Sequence, residues 1–163
     1  MSTDATTPDA TPPTDRVAEL CCNLDDATAE DLGHACTTLL EAGALDVWTS
    51  PIQMKKQRPA TMLSLLCRPD ERPRFTTLVF KLTGTLGVRH RTWDRTVLHR
   101  EAVNVPTPLG RVRVKLGRQT PGGPVLTAKP EHHDLIRLAQ EHDQPLATVR
   151  RTVTAALYRH LQP

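Results

Sequence analysis

Apolar positions along the chain alternate between two spacings, and each spacing predicts an element. Val17 to Asn23 reads as a first strand. Thr28 follows as a helix cap, with Asp31 three residues on in a capping-box arrangement. Leu32, Ala35, Cys36, Leu39 and Leu40 then repeat at the spacing of one helix face, and Gly43 is placed to end that helix with a left-handed residue. Ala44–Ile52 and Ala60–Cys67 read as two more strands, joined by a polar, basic loop from Gln53 to Pro59. Asp70 is placed to cap a second helix, in which Phe75, Leu78, Val79 and Leu82 recur at helical spacing. Gly84 and Gly87 close it, and a fourth strand starts at Val88. The order β-α-β-β-α-β is that of a ferredoxin-like fold.

The pattern then restarts. Ala102–Pro106 and Arg111–Leu116 form a hairpin about Thr107-Pro108-Leu109-Gly110. Val112, Val114 and Leu116 alternate with Arg111, Arg113 and Lys115, so one face is apolar and the other basic. A short strand at Val125–Lys129, a helix from Glu131 to His142 and a last helix begun by Pro145 complete the chain. The last helix carries an inward stripe of Leu146, Val149, Val153, Ala156 and Leu157. The expected class is mixed α/β, of the α+β kind: a ferredoxin-like domain over 16–101, then a small α+β domain over 102–163. Residues 1–15 hold almost nothing to bury and are expected to be a disordered tail.

Composition narrows the function. No apolar run reaches the roughly 18–20 residues of a membrane span, and the first fifteen residues lack the features of a secretory signal. Cys21, Cys22, Cys36 and Cys67 have no zinc-type spacing. They read as small apolar filler in a reduced, cytoplasmic setting. Charge is unevenly spread. Residues 1–54 hold ten acidic side chains and one basic, whereas residues 55–118 hold fifteen basic and four acidic. Such a positive middle points to an anionic partner.

Four polar clusters could carry chemistry. Asp25 and Asp26 stand just before a helix, where carboxylates either cap it or hold a hard, phosphate-bridging cation. Lys55, Lys56 and Arg58 crowd one hairpin loop as a candidate phosphate clamp. Arg89 and Arg91 share one strand face and form a second. Lys129, Glu131, His132, His133 and Asp134 gather at a strand-to-helix turn; adjacent histidines diverge on a helix and do not readily serve one ion. No serine-nucleophile, Walker or dinucleotide motif is present, so any catalysis rests on positioning and neutralising phosphate charge.

Taken in order, these stretches resemble the nickel insertion protein family of the nickel-pincer cofactor pathway. They are Asn-Leu-Asp-Asp at 23–26, Leu-Leu-Glu-Ala-Gly-Ala-Leu-Asp-Val at 39–47, Met-Lys-Lys-Gln-Arg-Pro at 54–59 and Thr-Leu-Gly-Val-Arg at 85–89. Thr-Pro-Leu-Gly-Arg-Val-Arg-Val-Lys at 107–115 and Lys-Pro-Glu at 129–131 complete the set. The resemblance implies a CTP-dependent nickel chelatase, or cyclometallase, acting on pyridinium-3,5-bisthiocarboxylic acid mononucleotide. In that chemistry nickel is a substrate, CTP is cleaved to CMP and pyrophosphate, and Mg or Mn is required. It assigns Asp25, Asp26, Lys55, Lys56, Arg58, Arg89, Lys129 and Glu131 to patterned positions. Asp25, Asp26, Lys56 and Arg58 would act in catalysis, with Asp25 and Asp26 supporting the metal; Lys55, Lys56, Arg58, Arg89, Arg91, Lys129 and Glu131 would hold nucleotide and precursor. A homo-oligomer and a separate N-terminal domain as partner are implied too. The chain departs from the family at Gln57, at Cys21 and Cys22, and at His132 and His133. Two other classes compete: a nucleotide-sensing module without turnover, and a helix-turn-helix DNA binder using Arg150 and Arg151, which the nearly neutral C-terminal third disfavours.

Overall fold

The computed structural model describes Pro12 to Leu161. Among the described residues the chain divides into two compact units, one covering Thr14–Arg95 and the other covering Pro12, Pro13 and the chain from Thr96 onward. Each has its own apolar core. Among the described residues no helix is long and apolar enough to cross a membrane.

In the first unit the elements are β1 (Thr14–Leu24), α1 (Ala29–Glu41), β2 (Asp46–Met54), β3 (Arg58–Cys67), α2 (Arg72–Thr83) and β4 (Arg89–Thr96). The sheet order is β2-β3-β1-β4, the ferredoxin-like arrangement expected from the element order. β3 runs antiparallel to both β1 and β2. Side-chain bonds between Arg89 and Asn23, Trp93 and Glu19, and Arg95 and Asp15 show β4 running opposite to β1. Ala18, Leu20, Cys22 and Leu24 of β1 and Leu63, Leu65 and Cys67 of β3 point to one face, where Leu39 of α1 and Phe75 and Val79 of α2 cover them. The intervening residues Glu19, Cys21 and Asn23 therefore line the opposite face.

Several boundaries differ from the sequence expectation. The expected tail over 1–15 falls largely on residues outside those described, but β1 already begins at Thr14, where Asp15 is tied by Arg95. β2 starts two residues late because the Ala44 N–H is used in capping: it bonds Leu39 while Gly43, at φ 95°, bonds Leu40, closing a Schellman motif. The basic loop shrinks to one turn, Lys55–Gln57, because both strands extend into it and pair as far as Met54 with Arg58. Asp70 does not cap α2. It sits inside a short 3-10 turn, Pro69–Glu71, and α2 begins after it with no side-chain cap bond. Thr28 caps α1 as expected, accepting from the Asp31 N–H at 3.1 Å.

The second unit contains β5 (His99–Thr107), β6 (Gly110–Arg118), β7 (Val125–Pro130), α3 (His132–Glu141) and α4 (Leu146–Leu161). β5, β6 and β7 form an antiparallel sheet in that order. Val105, Val112, Val114 and Leu116 meet Leu135 and Leu138 of α3 and Val149, Val153 and Leu157 of α4. Gly110, at φ 124°, makes the hairpin turn, and a Cβ there would lie 3.2 Å from Leu138. The alternation read from Arg111 to Leu116 holds: the valines and Leu116 are buried and the cations exposed.

Candidate functional site

The end of the first unit's sheet collects the predicted cations and carboxylates. β1 leaves the sheet at Leu24, and Asp25 and Asp26 form the bend before α1. The β2–β3 hairpin turns beside them. Arg58, the first residue of β3, donates from Nη1 to Asp25 Oδ2 at 2.9 Å, 33 residues apart in sequence. That guanidinium holds the Asp25 carboxyl below the usual carboxylate range, and Lys55 adds to the same field. Lys55 and Lys56 have no ion-pair partner among the described residues.

The turn itself is strained. Lys56 has φ 61° and Gln57 φ 58°, both in the left-handed region without being glycine. Each such residue costs about 1–2 kcal/mol. Gln53 Nε2 donates to Gln57 Oε1 at 2.8 Å and braces the turn.

On the neighbouring strand, Arg89 donates from Nη2 to Asn23 Oδ1 at 2.8 Å and reaches Met62 Sδ at 3.5 Å. Asn23 and Met62 are thus parts of the site that the cation pattern alone did not assign. Their signal was register: Asn23 and Met62 are directly paired across β1 and β3. Arg91 makes no contact of this kind. Its guanidinium carbon lies 4.3 Å from the centroid of the Trp93 ring.

The two adjacent carboxylates have different surroundings. Asp25 faces Arg58, whereas Asp26 lines a cleft of about 230 Å³ with Leu24, Ala27, Asp31, Leu32, Leu82 and Thr83. Among the described residues, no three His, Cys, Asp or Glu side chains converge as a metal cage. One carboxylate bound by Arg58 and one beside it suit a cation that arrives on phosphate oxygens and keeps most of its water. Mg needs only one or two protein carboxylates in that setting.

Lys129 and Glu131 lie in the other unit. Lys129 is exposed on β7, while Glu131 at the start of α3 binds Lys115 Nζ at 2.7 Å. Asp134 accepts the Arg113 N–H at 2.7 Å, and His132 and His133 occupy the first turn of α3. Arg150 and Arg151 are exposed on α4.

The family model described as nickel insertion protein matches residues 5–150. The chain belongs to the nickel insertion protein family. It is 41% identical, over 88% of its residues, to the pyridinium-3,5-bisthiocarboxylic acid mononucleotide nickel insertion protein of Lactiplantibacillus plantarum. To a putative nickel insertion protein of Roseiflexus castenholzii it is 45% identical over 83%. It spans about a third of the length of these relatives, 33% and 34%. Among solved structures it resembles the apo form of the C-terminal domain of a cyclometallase involved in synthesis of the NPN cofactor of lactate racemase. That match has TM-score 0.81 and 40% identity, covering 89% of this chain and 99% of that one.

Proposed function

We propose that this chain is the CTP- and divalent-cation-binding part of a nickel insertase. In this reading it works with an N-terminal domain to insert nickel into pyridinium-3,5-bisthiocarboxylic acid mononucleotide, with CTP cleaved to CMP and pyrophosphate. The observation that carries the reading is the sheet end where Lys55, Lys56 and Arg58 turn beside Asp25, with Arg89 fixed on Asn23. Phosphate oxygens suit this arrangement because guanidinium and ammonium donors meet them from several directions. The strained Lys56–Gln57 backbone supports it too, since such strain tends to collect where a loop must meet a ligand.

The residues divide the work. Lys55 and Lys56 are free to take triphosphate oxygens. Arg58 sits between the anion and Asp25, and can exchange one for the other. In the net reaction water adds an oxygen to the α phosphorus as its bond to the bridging oxygen breaks, negative charge builds on the departing pyrophosphate, and fixed cations stabilise that charge without reorganising. Asp25 and Asp26 would hold a hydrated Mg or Mn carried by the nucleotide. The metal would further neutralise the phosphates.

Calorimetry with CTP, ATP, GTP and UTP, each with Mg or Mn, tests the reading. Metal-dependent preference for CTP is expected; equal affinity for all four, or none, sinks the CTP assignment. Pyrophosphate release with nickel, precursor and the N-terminal domain then separates an enzyme from a nucleotide sensor.

A further inference from the structure

The first unit's sheet has one face without helices, and both tryptophans of the chain belong to it. Trp48 pairs across the sheet with Ser64, and Ser64 with Cys21, on the side opposite the core. Trp93 reaches the same face, where its Nε1–H donates to Glu19 Oε2 at 2.5 Å. That bond fixes the indole plane, yet the residue stays 42% exposed.

The arginines of β4 on this face differ in one respect. Arg89 is bound to Asn23, and Arg95 grips Asp15 through two bonds of 2.9 and 2.6 Å. Arg91, between them, has no hydrogen-bond acceptor among the described residues and lies over the Trp93 ring. A guanidinium stacked this way keeps its outer face and its edge N–H donors available. The pair lies on the strand that carries Arg89 to the phosphate clamp. At roughly 3.3 Å per residue, Arg91 is ~7 Å and Trp93 ~13 Å beyond Arg89. Base and triphosphate of one nucleotide span that kind of separation.

We propose that Arg91 and Trp93 form the platform on which the nucleobase of the bound triphosphate stacks, with Arg91 donating to a base carbonyl. This rests on the nucleotide-binding reading above and adds the side chains that hold the base. Four-stranded sheets of this type can stack bases on exposed aromatic and arginine side chains. A neutral base fits better than a pyridinium ring, because Arg91 repels a ring that carries positive charge.

Intrinsic fluorescence reads the face directly, since the chain has no other tryptophan than Trp48 and Trp93. Mg-CTP is titrated into the full chain, followed by fluorescence and calorimetry, with inorganic tripolyphosphate and nicotinamide mononucleotide as parallel probes. CTP is expected to quench the wild type. Trp93→Ala, Arg91→Ala and Arg91→Lys should each weaken CTP about tenfold or more, and Trp93→Phe much less. Tripolyphosphate should bind Trp93→Ala, Trp93→Phe and Arg91→Lys as it binds the wild type, because these variants keep every cation; Trp48 fluorescence confirms that the variants fold. If CTP binds the wild type and these variants equally, the platform is overturned while the nucleotide reading stands. If neither CTP nor tripolyphosphate binds the wild type, the nucleotide reading fails and the platform with it. Quenching through Trp93 by nicotinamide mononucleotide but not by CTP would assign the platform to the pyridine ring and overturn the proposal.

Discussion

The two units use one construction and differ in where they leave cations without a counter-charge. Each lays two helices on one face of an antiparallel sheet over a core of aliphatic side chains. In the second unit three of the six strand cations are paired at home, Lys115 with Glu131, Arg113 with Asp134 and Arg118 with Glu101, and among the described residues Arg100, Arg111 and Lys129 have no ion-pair partner. In the first unit Lys55 and Lys56 have no ion-pair partner among the described residues, and Arg58 and Arg89 lean on Asp25 and Asn23 at the end of the inner strand β1. Both stretches look equally basic as sequence. On the proposed reading the two unpaired lysines at one hairpin turn mark the binding site, and only long-range pairing shows which cations are left without a counter-charge.

Removing either core is the strongest way to break the comparison. Phe75 is fully buried in the first unit and Leu138 in the second. Phe75→Ala is expected to cost about 3–5 kcal/mol and Leu138→Ala about 2–5 kcal/mol. The tryptophans report only the first unit, and Tyr158, the sole tyrosine, only the second. Urea unfolding followed by tryptophan fluorescence should therefore shift strongly for Phe75→Ala. An unchanged midpoint would show that Phe75 does not anchor that core.

The cores were legible because burial writes a period into the sequence. Leu39, Phe75, Val79, Val112 and Val153 were all placed inward by spacing, and all are buried. Boundaries were less legible where one backbone group had two possible uses, as with the Ala44 N–H, which caps a helix instead of starting a strand. The basic loop was legible as a cluster, but its partner was not: nothing local links Arg58 to Asp25. Lys129 and Glu131 show the converse. Their motif is compact in sequence, yet Glu131 spends its carboxylate on Lys115 within its own unit.

Matched substitutions in the two basic stretches sharpen the contrast. Lys56→Ala and Arg58→Ala are each expected to weaken CTP binding by about ten- to hundredfold, as loss of a charge-assisted contact of ~1.5–3 kcal/mol requires. Lys115→Ala should leave nucleotide affinity unchanged, since its charge is already matched by Glu131. All three side chains are exposed, so each should cost no more than about 1 kcal/mol of stability. Calorimetry on the folded variants checks this; equal losses at Lys56 and Lys115 would erase the distinction between the units.

Thiol chemistry is confined to the first unit, because all four cysteines fall within it. Burial pushes the Cys67 thiol up to about 11, helped by Glu71 and Asp70. Cys22 and Cys36 are also raised by burial. A raised thiol stays protonated longer in the folded state. The first unit should thus keep its full stability below the ordinary thiol value and lose part of it as pH rises toward about 11. Tryptophan-detected melting from pH 8 to 11 measures the decline, and Cys67→Ala should flatten it. In the folded chain Cys22 and Cys67 should resist alkylating reagents at neutral pH, as they are fully covered.

The smallest expected effect concerns Asp25, and it tests what that carboxylate is for. Its folded pKa is depressed, chiefly by the hydrogen bond from Arg58. The pair's contribution to stability is therefore present above the ordinary carboxylate range and lost only as pH falls through the lowered value. Wild type and Asp25→Asn should differ slightly and constantly between pH 5 and 7, then converge in acid. Ligand adds the informative step. If a triphosphate draws Arg58 away and Asp25 takes no cation, Asp25 returns toward its ordinary pKa, and binding near pH 4 must take up protons. If Asp25 instead holds the nucleotide's Mg, the cation keeps the carboxylate ionised and no proton is taken up at this residue. Calorimetry near pH 4 in buffers of different ionisation enthalpy measures the difference, with Asp25→Asn as the control. Proton uptake that disappears in Asp25→Asn would make Asp25 a latch for Arg58 and not a metal ligand. The same proton change in both chains is the outcome expected if Asp25 supports the cation.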